Sequence, residues 1–123
     1  MILADTSIWI DHLRAGDTVL ARLLEFGGVI THPFVIGELA LGRLAPRALI
    51  LDMLHDLPAA RVATDQEVLR FVDQQKLFGL GIGYVDAHLL AAARLTVGAS
   101  LWTRDGRLLS VAERLGLAMQ HPR

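Results

Sequence analysis

Cysteine is absent from the 123 residues, which excludes disulfides and thiolate zinc sites and makes a reducing cytosol the simplest setting. Long apolar runs are missing as well. No uncharged stretch approaches the ~18 residues that a membrane span needs, although 53% of the residues are hydrophobic and the mean hydropathy is +0.43. That apolar content belongs to a core and to a subunit interface. Nor is there an excess of either charge. Twelve basic and 13 acidic residues give a net charge of -1, so nucleic-acid and protein partners both stay open, and a nucleic-acid binder of this composition must segregate its charges in space. No basic n-region precedes the first apolar residues, so no signal peptide is expected. No Walker loop, GxGxxG element, GxSxG elbow or HExxH is present, which counts against nucleotide hydrolysis, dinucleotide redox chemistry and serine hydrolysis. His12, His32, His55, His88 and His121 lack zinc-ligand spacing.

What is present is an alternation of strand-like and helix-like stretches, the pattern of a parallel sheet covered by helices. Ile2-Leu3-Ala4 reads as a buried strand and Ser7 to Arg14 as a short helix capped by Asp5 or Thr6. Asp17 or Thr18 opens a helix that Gly27-Gly28 ends, Val29-Ile30-Thr31 is a second strand, and Pro33 suits the first turn of the helix carrying Glu38. Pro46 opens a further helix, Arg61-Val62-Ala63 is a weak strand, and Thr64 with Glu67 fits a capping box. A glycine-rich turn then leads to a helix from about Tyr84 to Leu95. Ser100 to Thr103 is a fourth strand, Asp105 or Gly106 starts the last helix, and Leu117-Ala118-Met119 is a short final strand. The expectation is one domain over residues 1–123, an α/β/α sandwich around a mainly parallel sheet of four to five strands.

Four acids stand out. Asp5 and Asp105 follow apolar strands, and parallel strands deliver both to one edge of the sheet, where open α/β folds bind ligands. Asp86 shares a helix face with Leu90 and Ala93, and Glu38 is flanked by Val35, Ile36, Leu39 and Leu41. Both are therefore expected at apolar, buried positions, where ionised acids need a partner. Each also has a plainer reading: an Asp before a helix serves as an N-cap, and Asp105 before Gly106 suits a turn. Two carboxylates ~4 Å apart repel by roughly 4 kcal/mol at an effective dielectric of ~20. If the four converge, some stay protonated or a divalent cation sits among them. Oxygen-only ligation selects hard ions, so Mg²⁺ or Mn²⁺ is the natural choice, and such ions act on phosphates through an activated water. Thr6, Ser7 and Thr103 suit the support of such a site, although capping and strand-end hydrogen bonds are the favoured reading of each. Arg104 could meet a phosphate beside the site, although a lone surface arginine usually does nothing specific. Trp9 and Trp102 fit core or interface packing.

The segments ILADTSIWIDHLR, PFVIGELALG, GIGYVDAHLLAAA and LWTRDGRLLSVAERLGL resemble, in order and spacing, the four acidic blocks of PIN-domain ribonucleases, and more narrowly VapC-type toxins of toxin-antitoxin modules. The resemblance covers nearly the whole chain. It implies a helix-sheet-helix sandwich, Mg²⁺- or Mn²⁺-dependent endonucleolytic cleavage of RNA leaving 5′-phosphate and 3′-hydroxyl ends, a homodimer, and a small antitoxin whose C-terminal segment blocks the active site. It matches Asp5, Glu38, Asp86 and Asp105 to the four acids in order, with Asp5 and Asp86 as the most direct metal ligands. Ser7 and Thr103 fall at supporting polar positions. Two other readings stay open. In one, Asp5 is phosphorylated, against which stand Ser7 at the second position after it and Lys76 as the single lysine. In the other, the chain is a non-catalytic RNA-binding scaffold.

Overall fold

A computed structural model describes residues 1–120. His121, one of the histidines set aside above, lies outside the described residues. The central element is β1 (Ile2–Ala4), paired in parallel with β2 (Val29–Ile30) on one side and β3 (Ser100–Trp102) on the other, in the order β2-β1-β3. Ile2 aligns with Val29 and Ser100, and Ala4 with Trp102. All three strands therefore end at the same edge of the sheet. α1 (Thr6–Ala15) and α2 (Thr18–Glu25) connect β1 to β2. α3 (Pro33–Ala40), α4 (Arg47–Asp56), α5 (Asp65–Gln75) and α6 (Tyr84–Leu95) connect β2 to β3, and α7 (Gly106–Arg114) follows β3. The two crossovers travel in opposite directions from the central strand, so right-handed connections put their helices on opposite faces of the sheet. The result is the expected α/β sandwich.

The sheet is narrower than the four to five strands expected. Both further strands reduce to single bridges, Thr31 with Ala59 and Leu101 with Ala118. On the first edge the pairing sits before Arg61-Val62-Ala63, because the Arg61 N–H donates to Thr96 Oγ1 (2.9 Å) and leaves no ladder bond to make. On the other, Leu101 exchanges both of its backbone bonds with Leu117 and Met119, and the pairing ends there.

Local chemistry sets most helix starts. Asp5, Asp17 and Asp105 cap α1, α2 and α7 by accepting from the N–H three residues on, and Thr64 and Glu67 form the reciprocal capping box of α5. His32 caps α3 through Nδ1, with Pro33 in the first turn. Leu3, Ala4, Ile8, Trp9, Leu20, Leu89, Leu90, Leu101 and Leu108 are sealed in one core together with Trp102. Both tryptophans are thus core residues. No helix among the described residues is long and apolar enough to cross a membrane.

Candidate active site

Asp5 is the first residue past β1, and its N–H donates to Trp102 O (3.0 Å), so the β1 and β3 ends lie side by side. Thr103 and Asp105 follow on the β3 side. Glu38 is carried in by α3, which starts where β2 stops. Asp86 sits in the first turn of α6, which leads through a four-residue turn into β3 and so brings its N-terminus to the strands' carboxyl edge. Asp86 lies within electrostatic reach of the other three carboxylates. Burial pushes the Asp86 carboxyl above its usual range, a hydrogen bond from Gly83 opposes this, and the charges of Asp105, Asp5 and Glu38 raise it further.

Each acid is anchored through one oxygen. Asp5 Oδ1 accepts from Ser7 Oγ (2.7 Å) and Ile8 N (3.1 Å). Glu38 Oε1 accepts from Thr6 Oγ1 (2.7 Å), Asp86 Oδ2 from Gly83 N (3.1 Å), and Asp105 Oδ1 from Leu108 N (3.0 Å). Among the described residues, the second oxygen of each has no hydrogen-bond donor and none of the four is ion-paired. Capping and site duty are thus compatible for Asp5 and Asp105, since a cap uses one oxygen only. The three supporting residues each touch this set: Thr6 holds Glu38, Ser7 holds Asp5, and Thr103 Oγ1 accepts from the Asp105 N–H (3.1 Å).

Two expectations need correction. Glu38 is exposed rather than buried, because its apolar sequence neighbours Val35 and Leu39 take the inner face of α3. Asp86 is only half-buried, at the open end of the face whose Leu90 and Ala93 are sealed. Arg104 lies beside the site with both terminal nitrogens engaged, by Asp11 (2.7 Å) and Asp17 (2.6 Å), and its guanidinium 5.4 Å over the Trp102 ring. It ties the β3–α7 loop to α1 and to the cap of α2.

The donor chemistry fits a hard divalent cation: oxygen only, several like charges, and no protein cation among them. Among the described residues no three acidic or histidine side chains are already gathered closely enough to hold an ion. That is consistent with Mg²⁺, which keeps several waters and needs one or two direct carboxylates. Glu38 also lines an open cleft of about 450 Å³ between α1, α3 and the following loop, with Arg14 and Arg43 in its wall. Two arginines thus share this cleft with one of the four acids.

A polar cluster that sequence reasoning missed lies where α6 meets α5 and the start of α3. His88 is buried, and its Nε2 is 3.0 Å from Asp65 Oδ1, which also accepts from the Tyr84 hydroxyl (2.6 Å). The Tyr84 hydroxyl, and then His88, hold the Asp65 carboxyl below its usual range. The His32 ring, 6.4 Å from that of His88, is fully buried, and burial first and His88 second push its pKa down to about 4. Histidine spacing held no clue to this, because the partners are 23 residues apart and meet only through the packing of α5 on α6.

The parallel sheet, the edge-placed acids and their order along the chain define a PIN domain. Residues 2–114 match the PIN domain family, and the chain belongs to it. It is 49% identical over 119 residues, covering 97% of this chain and 96% of the relative, to Ribonuclease VapC32 of Mycobacterium tuberculosis, in strain CDC 1551 / Oshkosh and equally in strain ATCC 25618 / H37Rv.

Proposed function

We propose that this PIN domain is an endoribonuclease, the toxin of a toxin-antitoxin module, and that Asp5, Glu38, Asp86 and Asp105 form its working centre with Mg²⁺ or Mn²⁺. One observation carries the reading. Asp86 senses the other three carboxylates, and among the described residues none of the four is ion-paired, each being fixed through one oxygen and without a donor at the other. The four lie in a chain nearly half identical to proteins named as ribonucleases.

Asp5 and Asp86 would hold the cation directly, with Glu38 and Asp105 completing its shell. When bound, such an ion lowers the pKa of water and offsets charge developing on phosphate oxygens. The chain's own residues do the positioning. Ser7 and the Ile8 N–H keep Asp5 in one orientation, Thr6 does so for Glu38, and the Asp105 cap fixes the fourth acid. The free oxygens of Glu38 and Asp105 face the role of orienting the attacking water and accepting its proton. Arg14 and Arg43 in the cleft are the cations available to hold RNA phosphates beside this negative edge. Single-stranded or loop RNA is the substrate class that such an open site admits. The chain acts in the cytoplasm as a homodimer, and a small cognate antitoxin masks the acidic edge.

Asp5→Asn tests the assignment, since Asn preserves the cap but not the charge. Cleavage and growth inhibition are expected to vanish while the protein stays folded. A folded Asp5→Asn protein with undiminished cleavage would remove Asp5 from the mechanism.

A further inference from the structure

One turn from Glu38, two aromatic rings are left open to solvent. Phe34, on the same face of α3 as Glu38, is 37% exposed, and Tyr84, in the first turn of α6 on the side that carries His88 rather than Asp86, is 47% exposed. Both rings pack on buried His88, each with its centroid 4.6 Å from the imidazole, Tyr84 edge-on and Phe34 tilted. The Tyr84 hydroxyl is tied to Asp65, which also bonds His88, so the Tyr84 ring is held in place, while Phe34 rests on the His88 and His32 rings. Exposed aromatics usually cost solubility, and these are braced by a buried imidazole instead of being covered. Along α3, the four residues from Phe34 to Glu38 rise about 6 Å, roughly one nucleotide step in a single strand.

We infer that Phe34 and Tyr84 form a stacking platform for an unpaired base of the RNA, next to the phosphate that the four acids cleave. Aromatic faces grip single-stranded RNA in this way because every base offers a π-face, and the gain is largest where the ring is already fixed. His88 and Asp65 are positioning residues, acting through the two rings. The inference rests on the nuclease reading and gives it a substrate preference: a flexible segment whose base can be splayed out, rather than a duplex.

The test begins by mapping wild-type cuts on total cellular RNA, after which a short single-stranded RNA spanning one mapped cut serves as the probe. For Phe34→Ala and Tyr84→Ala, kcat/KM is expected to fall about tenfold or more, mainly through KM. Tyr84→Phe should recover most of the loss, and Val97→Ala, a distant exposed change, should match wild type. On Asp86→Asn protein, 2-aminopurine beside the cut should be quenched on binding, and the quenching should disappear when Phe34→Ala is added. If Tyr84→Ala does not fold, Tyr84→Leu, which keeps bulk without the π-face, carries the same expectation. Both alanine variants cutting within twofold of wild type would overturn the platform while leaving the nuclease intact. Alanine variants that change the oligomeric state would also overturn it, by showing that the rings pack on a second copy. A wild type that cuts no RNA would take down both readings together.

Discussion

Asp86 is the residue at which stability and function oppose each other. Its carboxyl is raised by burial and by Asp105, Asp5 and Glu38, so the folded protein holds this proton more tightly than the unfolded chain does. The corresponding stability is present in acid and is lost as pH rises through the folded pKa. At pH 7 an ionised Asp86 therefore destabilises the metal-free fold, and Asp86→Asn is expected to melt at a higher temperature than wild type there while losing cleavage. The difference should shrink toward pH 4, and equal melting at both pH values would show that the acids do not sense one another. His32 runs the other way. Its folded pKa of about 4 lies below the ordinary histidine value of 6.5, so the unfolded chain takes up the proton first, and stability declines as pH falls from 6.5 toward 4. That gap corresponds to at most about 3 kcal/mol. Urea midpoints at pH 7 and pH 5 should separate for wild type and draw together for His32→Asn, which keeps a capping side chain.

At the level of elements, the strand-to-helix junctions hold the site. Asp5 and Asp105 each cap a helix through one oxygen and, on the proposed reading, serve the site through the other, and substitutions can separate the two roles. Ala at either position removes cap and charge together and should cost about 1 kcal/mol of stability, whereas Asn should cost only a fraction of that and still abolish cleavage; chemical denaturation beside an RNA cleavage assay reads both. These junctions were legible in the sequence because they are local. Asp, Thr-x-x-Glu and Pro before apolar periodicity mark α1, α2, α3, α5 and α7, and the start at Tyr84 follows from the glycine-rich turn. What was not legible depended on distant partners. Glu38 looked buried by its neighbours in sequence, yet the helix turns it outward. Arg104 looked free for a phosphate until folding set it between Asp11 and Asp17. One outer strand shrank to a bridge where Arg61 finds Thr96 instead of a ladder partner, and the other where the pairing with Leu101 stops after a single residue. The His88–Asp65–Tyr84 cluster joins two helices that no short motif connects.

Across the whole molecule, a chain with a net charge of only -1 brings four of its 13 acids toward one edge and sets Arg14 and Arg43 along the cleft that Glu38 also lines. On the proposed reading, two properties depend on a divalent ion at once. Mg²⁺ should raise the melting temperature of wild type, because binding to the folded state alone stabilises it by RT ln(1 + [L]/Kd), and should leave Asp86→Asn nearly unmoved. The same edge should govern activity. The most direct measurement is cleavage of total cellular RNA by purified, partner-free wild type and Asp86→Asn, each with Mg²⁺, with Mn²⁺ and with EDTA. Discrete cuts that require metal and vanish in Asp86→Asn are the predicted result; cutting that survives EDTA or the substitution, or a folded wild type that cuts nothing in either metal, would contradict a metal-dependent ribonuclease built on these four acids.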